Sequence, residues 1–119
     1  MQAVPGAVDE IIDNFLSNAL RATPPDSTIT VTWRPARPTG ETPMIELHVL
    51  DQGPGLTADD CARALDPFWR APGMTKDGTG LGLSLVRKLA EASGGRALLR
   101  PGHPAGIDAV VILPRRSSA

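Results

Sequence analysis

What most restricts this chain's fold is a matter of numbers. Stretches with strand character outnumber those with helical character, so each helix needs a sheet face to cover. Val8, Ile11, Ile12, Phe15, Leu16, Ala19 and Leu20 recur at the i, i+3, i+4, i+7 spacing of an amphipathic helix. Pro5 suits its first position, and Pro24 and Pro25 stop it near Thr23. Ile29, Val31 and Trp33 then alternate with Thr28, Thr30 and Thr32, the pattern of a half-buried strand. The prolines and glycine between Arg34 and Pro43 predict an exposed loop. Ile45, Leu47 and Val49 make a second strand, halted at Asp51-Gln52-Gly53-Pro54-Gly55. Thr57 followed by Asp60 resembles a capping box and heads a short helix from Ala58 to Leu65. From Asp66 to Gly80 periodic signal is poor and proline and glycine recur, which predicts a mobile loop. Leu81 to Ala92 reads as a helix closed by Gly94-Gly95. Leu98-Leu99 and Ile107 to Leu113 read as a closing hairpin around Pro101 to Gly106, followed by a frayed tail from Arg115. The economical solution is an α+β fold: a two-layer sandwich of one mixed, mostly antiparallel sheet with helices on one face.

A length of 119 residues suits one domain, with a core from residue 5 to 114. The net charge of −1 provides no drive toward nucleic acid or an anionic membrane, and two Trp, two Phe and no Tyr make a poor base-stacking platform. Cys61 is the only cysteine, which excludes a disulfide framework and a cysteine-based zinc site and fits a reducing cytoplasm. The first seven residues are no signal peptide, and no segment reaches the ~18 apolar residues of a spanning helix. The anchor of any membrane-bound parent is expected outside this sequence.

Three groups of residues can carry chemistry. On the first helix, at ~100° per residue, Glu10, Asn14, Asn18 and Arg21 share a stripe about 80° wide opposite the apolar face. Neutral amide oxygens suit Mg²⁺, and Arg21 suits a phosphate oxygen. The plain alternative is a solvated helix face. Second, Asp51 at a strand end can accept from an amino group such as adenine N6, while Gly53 and Gly55 let a flat base approach the backbone. The alternative is an ordinary turn. Third, Asp77-Gly78-Thr79-Gly80-Leu81-Gly82-Leu83-Ser84 feeds a helix N-terminus, a natural anion site. It is no Rossmann fingerprint, since position 83 is Leu, and no P-loop, since Gly-Lys-Ser/Thr is absent. A flexible linker is the remaining alternative, although the interleaved leucines argue against it.

The order and spacing of the groups resemble the catalytic and ATP-binding domain of bacterial sensor histidine kinases, within the superfamily of gyrase, Hsp90 and MutL and their Bergerat fold. Asn14-Phe15-Leu16-Ser17-Asn18-Ala19 is similar to the family's N box, and Asp51 to Gly55 to its first glycine box. Asp66-Pro67-Phe68-Trp69-Arg70 is similar to the F box, and Gly78 to Leu83 to the second glycine box. Gly94-Gly95 and Leu113-Pro114 resemble its C-terminal end, so the likeness runs from about Pro5 to Pro114.

The resemblance implies ATP and Mg²⁺ as cofactors. Asn18 would ligate the metal with Asn14 close by, Asp51 would take the adenine amino group, and Gly53 and Gly55 would shape the base pocket. Phe68 would anchor a lid closing at Gly78, Thr79, Gly80, Leu81 and Gly82. Arg21, Arg70 and Lys76 are candidate phosphate contacts. The implied activity is donation of the γ-phosphoryl group to a histidine on a dimerisation domain absent here, in a cytoplasmic two-component pathway that reaches a response regulator indirectly. The isolated domain is expected to be a monomer without direct membrane contact. His48, in a strand, and His103, in a turn, lack the helical setting of the family's acceptor. An anti-sigma-factor-type serine kinase or a non-catalytic nucleotide-sensing module are the competing readings. Two departures stand out. Arg21-Ala22 replaces the common Lys-Tyr pair, removing an aromatic beside the base, and no strand is read before the first helix, so Met1 is expected to mark a boundary.

Overall fold

The computed structural model describes residues 6–66, 82–102 and 106–115. Helix α1 (Ala7–Ala22) leads into the hairpin β1 (Thr30–Thr39) and β2 (Thr42–Leu50). Helices α2 (Ala58–Arg63) and α3 (Gly82–Ala92) follow, then the hairpin β3 (Arg96–Pro101) and β4 (Ile107–Pro114). The strands form one sheet in the order β1-β2-β4-β3, and every described pairing is antiparallel.

Pleating divides the sheet's side chains into two sets. Leu47, Val49, Leu99, Ala109, Val111 and Leu113 face the helices and pack with Ile11, Phe15 and Ala19 of α1, Cys61 of α2, and Val86 and Ala90 of α3. Burying Ile11, Phe15 and Val86 this completely is worth roughly 2 kcal/mol each. Met44, Val110 and Ile112 form a smaller cluster with Ala36 and Leu98 on the opposite face, to which no helix residue contributes. The one-sided, two-layer arrangement is the expected one.

Helix boundaries follow local chemistry. α1 begins after Gly6, in the left-handed region at φ 77°, rather than at Pro5, which lies outside the described residues. At its end Thr23 Oγ1 donates to the Ala19 carbonyl ahead of the two prolines. Thr57 caps α2, its hydroxyl accepting from the Asp60 amide at 3.1 Å. α3 closes with Gly94 at φ 87° and the Gly95 amide donating to the Ala90 carbonyl at 2.8 Å, a Schellman-type stop. A Cβ on Gly95 would overlap the Ile112 carbonyl oxygen, so the second glycine serves close packing against β4.

Two expectations for the first hairpin are corrected. Arg34 to Pro43 is not a loop: β1 continues to Thr39, and a two-residue turn at Gly40-Glu41 starts β2 at Thr42. Proline is tolerated because β1 is an edge strand whose outward amides join no ladder, and the register shifts between Ala36 and Thr39, around Pro38. Nor is β1 half-buried, since Val31 and Trp33 remain 43% and 51% exposed. The segment read as a mobile loop has only Asp66 among the described residues, where it receives the Arg87 guanidinium at 3.2 Å.

Candidate nucleotide-binding site

The polar stripe of α1 is as periodicity placed it. Asn14 and Asn18 are half-buried, while Glu10 and Arg21 are exposed. The Asn14 amide nitrogen donates to the Glu10 carbonyl at 2.9 Å and to the Glu10 carboxylate at 3.4 Å. That turns the amide oxygen of Asn14 toward α3: a Cβ on Gly82 would stand 2.7 Å from it. Glycine at the first position of α3 therefore lets the N-terminus of that helix approach the Asn14 amide closely. Arg21 donates to Asn18 Oδ1 at 3.3 Å and to the Ser17 carbonyl at 3.3 Å, so a candidate phosphate contact and a candidate metal ligand already touch. Asn14, Asn18, Arg21 and Gly82 thus form one group.

Asp51 belongs to a second group. Its side chain is buried at the end of β2, 5% exposed. Oδ1 accepts from the Gly53 amide at 2.9 Å and the Ile107 amide at 3.2 Å, while the Asp51 amide donates to the Ile107 carbonyl at 3.0 Å. Among these bonds between described residues, Oδ2 takes part in none. Two glycines let the surrounding backbone segments pack closely. A Cβ on Gly55, at φ 77°, would stand 2.9 Å from the Gly106 carbonyl oxygen, and one on Gly106, at φ 83°, would run into the Asp51 carbonyl and stand 2.7 Å from Oδ1. Gln52 points away and accepts from the Thr28 amide at 3.2 Å. Gly106 and Ile107 were missed as site residues. The available signal was a glycine directly before the last strand, read only as the end of a turn.

Both groups border the main core, where Phe15, next to Asn14, joins Val49, two residues before Asp51. Phe68, Arg70, Lys76, Gly78, Thr79, Gly80 and Leu81 lie outside the described residues, as does His103. Cys61 is buried, and that burial, followed by the charge of Asp60, pushes its thiol pKa up, as befits a packing residue. Among the described residues no three His, Cys, Asp or Glu side chains could hold a metal.

The sheet is covered on one face by helices, with the Asn14 amide at the N-terminus of α3 and the Asp51 carboxylate buried at the end of β2. The sequence pattern of the histidine kinase-, DNA gyrase B- and HSP90-like ATPases matches residues 3–117, and the chain belongs to that family. It is 37% identical over 110 residues to the histidine protein kinase DivJ of Caulobacter vibrioides, a match covering 91% of this chain and 18% of that protein. It is 34% identical over 109 residues to the swarming motility regulation sensor protein RssA of Serratia marcescens, covering 91% of this chain and 22% of that protein. The chain thus spans about a fifth of these relatives. Among solved structures, the mycobacterial sensor histidine kinase MprB superposes with a TM-score of 0.80 at 26% identity, covering 96% of this chain and 74% of that one. Full-length ShkA in complex with AMPPNP gives 0.74 at 28% identity, over 96% and 22% of the two chains. Among the described residues no helix is long and apolar enough to cross a membrane.

Proposed function

We propose that residues 1–119 are the Mg·ATP-holding catalytic domain of a sensor histidine kinase, which donates the γ-phosphoryl group to a histidine on a dimerisation domain outside this sequence. The observation that carries this reading is the meeting of Asn14 with Gly82, which brings an amide oxygen of α1 to the N-terminus of α3. Helix N-termini favour phosphate through their free amides and dipole. The second oxygen of Asp51 suits the adenine amino group. Asn18, with Asn14 beside it, would supply neutral oxygen to Mg²⁺, which when bound would supply positive charge to the phosphates. Arg21, Arg70 and Lys76 are assigned to the phosphates, and Phe68 with Gly78, Thr79, Gly80 and Leu81 to a closing segment.

The choice of side chain at Asn14 favours transfer over hydrolysis. A carboxamide is no general base, so nothing at that position activates water and the nucleotide is kept for a protein acceptor. His48 is no acceptor, because it is buried in a strand between two carboxylates. The domain is assigned to the cytoplasmic part of a membrane-anchored sensor, acting on a response regulator through the phosphohistidine.

The test mixes this chain, γ-labelled ATP and a separately produced dimerisation domain from a related kinase. Acid-labile label should appear on the added domain's histidine and not on this chain. Label on this chain alone would contradict the assignment. ATP binding without transfer would favour a nucleotide-sensing module instead.

A further inference from the structure

The face of the sheet away from the helices holds a polar arrangement that the proposed reaction does not use. His48, on β2, is 7% exposed. Its Nδ1 lies 2.9 and 3.0 Å from the two carboxylate oxygens of Asp108, on β4. Its Nε2 lies 2.9 Å from Glu46 Oε1 on its own strand. The Arg34 guanidinium of β1 also binds Glu46, so a chain of polar contacts crosses three strands. Both ring nitrogens face carboxylate oxygens. The hydrogen bond from His48, followed by that from Arg34, lowers the pKa of Glu46 below its ordinary 4.5.

The position of this arrangement gives it significance. Asp108 is the neighbour of Ile107, whose carbonyl accepts from the Asp51 amide and whose amide donates to Asp51 Oδ1. His48 lies three residues before Asp51. The register pairs Leu50 with Asp108, the last pairing of β2 with β4 before the strands part at the carboxylate. A contact tying His48 to Asp108 therefore fastens the two strands immediately behind the carboxylate, from the opposite face. Cross-strand side-chain pairs help hold neighbouring strands together in antiparallel sheets generally. Removing the imidazole would leave Asp108 without that partner and let the start of β4 move relative to the end of β2.

We propose that His48 is a positioning residue for the base-binding carboxylate: by clamping Asp108 it holds Ile107 against Asp51 and fixes the direction of the Asp51 carboxylate. The ligand-dependent part of this claim rests on the nucleotide reading above, while the clamp itself does not.

The test uses His48→Leu, which fills similar space without donors, and Asp108→Asn, which keeps an acceptor but removes the charge. Hydrogen exchange is followed at the Gly53 and Ile107 amides, the two that donate to Asp51, with Leu47 and Val111 as references elsewhere in the same ladder. Faster exchange at Gly53 and Ile107 in both variants, with the reference amides unchanged, is the expected result. Affinities for ATP and inorganic tripolyphosphate are then compared, since only ATP carries the base. ATP affinity should fall about three- to tenfold, the scale of one weakened hydrogen bond, with tripolyphosphate unaffected. Unchanged exchange at both amides would overturn the clamp, as would uniform loosening of all four, because either result removes its local action on Asp51. Equal loss of affinity for the two ligands would overturn the positioning role. Should wild-type protein bind neither ligand, the nucleotide reading fails, and the exchange data still decide the clamp. If His48→Leu does not fold, Asp108→Asn carries both measurements.

Discussion

The two halves of the candidate site are held in different ways. Asp51 is buried, and its bonds run to backbone amides on two separate segments, Gly53 and Ile107, in a space kept open by Gly55 and Gly106. The amides of α1 are half-buried and bonded to side chains and carbonyls of their own helix: Asn14 to Glu10, Asn18 to Arg21. The first half is fixed by the fold and costs little to organise when a ligand arrives. The second consists of contacts within one helix; under the proposed function Arg21 would move from Asn18 to a phosphate oxygen and Asn18 from Arg21 to a cation. A rigid half suits recognition of a flat base of defined hydrogen-bonding pattern, and an adjustable half suits a flexible, hydrated, metal-bearing triphosphate.

Asp51→Asn should break the rigid half with the largest effect. The substituted side chain can still accept from Gly53 and Ile107, so the fold survives with a nearly unchanged melting temperature. The atom facing the base becomes a donor, however, and ATP affinity should drop about ten- to a hundredfold, as expected for losing a charge-assisted bond and leaving two donors opposed. Calorimetry with ATP and tripolyphosphate checks this, because tripolyphosphate should bind as before. Asn18→Ala should have a smaller effect, about tenfold, and a different signature: the gain in ATP affinity on adding Mg²⁺ should vanish, and tripolyphosphate should weaken together with ATP. Stability should stay within about 0.5 kcal/mol, as is usual for a substitution outside the core. Identical profiles in the two variants would erase the distinction between the halves.

Much of this could be read from the sequence, and what could not shares one cause. Helix α1, its polar stripe and its stop at Pro24 came directly from periodicity and proline, because a helix face is set by residues three and four apart. The ends of α2 and α3 came from Thr57 and Gly94-Gly95 by equally local rules. The second half of β1 was hidden because Pro35 and Pro38 signal a loop wherever the strand's place in the sheet is unknown. Only the strand order, with β1 at the edge, removes the objection. The exposure of Trp33 was hidden for the same reason, since alternation shows which residues share a face but not whether a helix covers it. Asn14, Asn18, Asp51 and Gly82 were picked out by their spacing and family resemblance. Ile107, Gly106 and Asp108 act on Asp51 and His48 from 55 to 60 residues along the chain, through strand pairing that no local pattern announces.

The central claim is that both halves close on one Mg·ATP. It is tested most directly by titrating the isotope-labelled domain with Mg·ATP and following backbone amide resonances. Asn14, Asn18 and Gly82 on one side and Asp51, Gly53 and Ile107 on the other should shift together along a single saturation curve with one Kd. Shifts confined to one group, or two groups saturating at different concentrations, would contradict it.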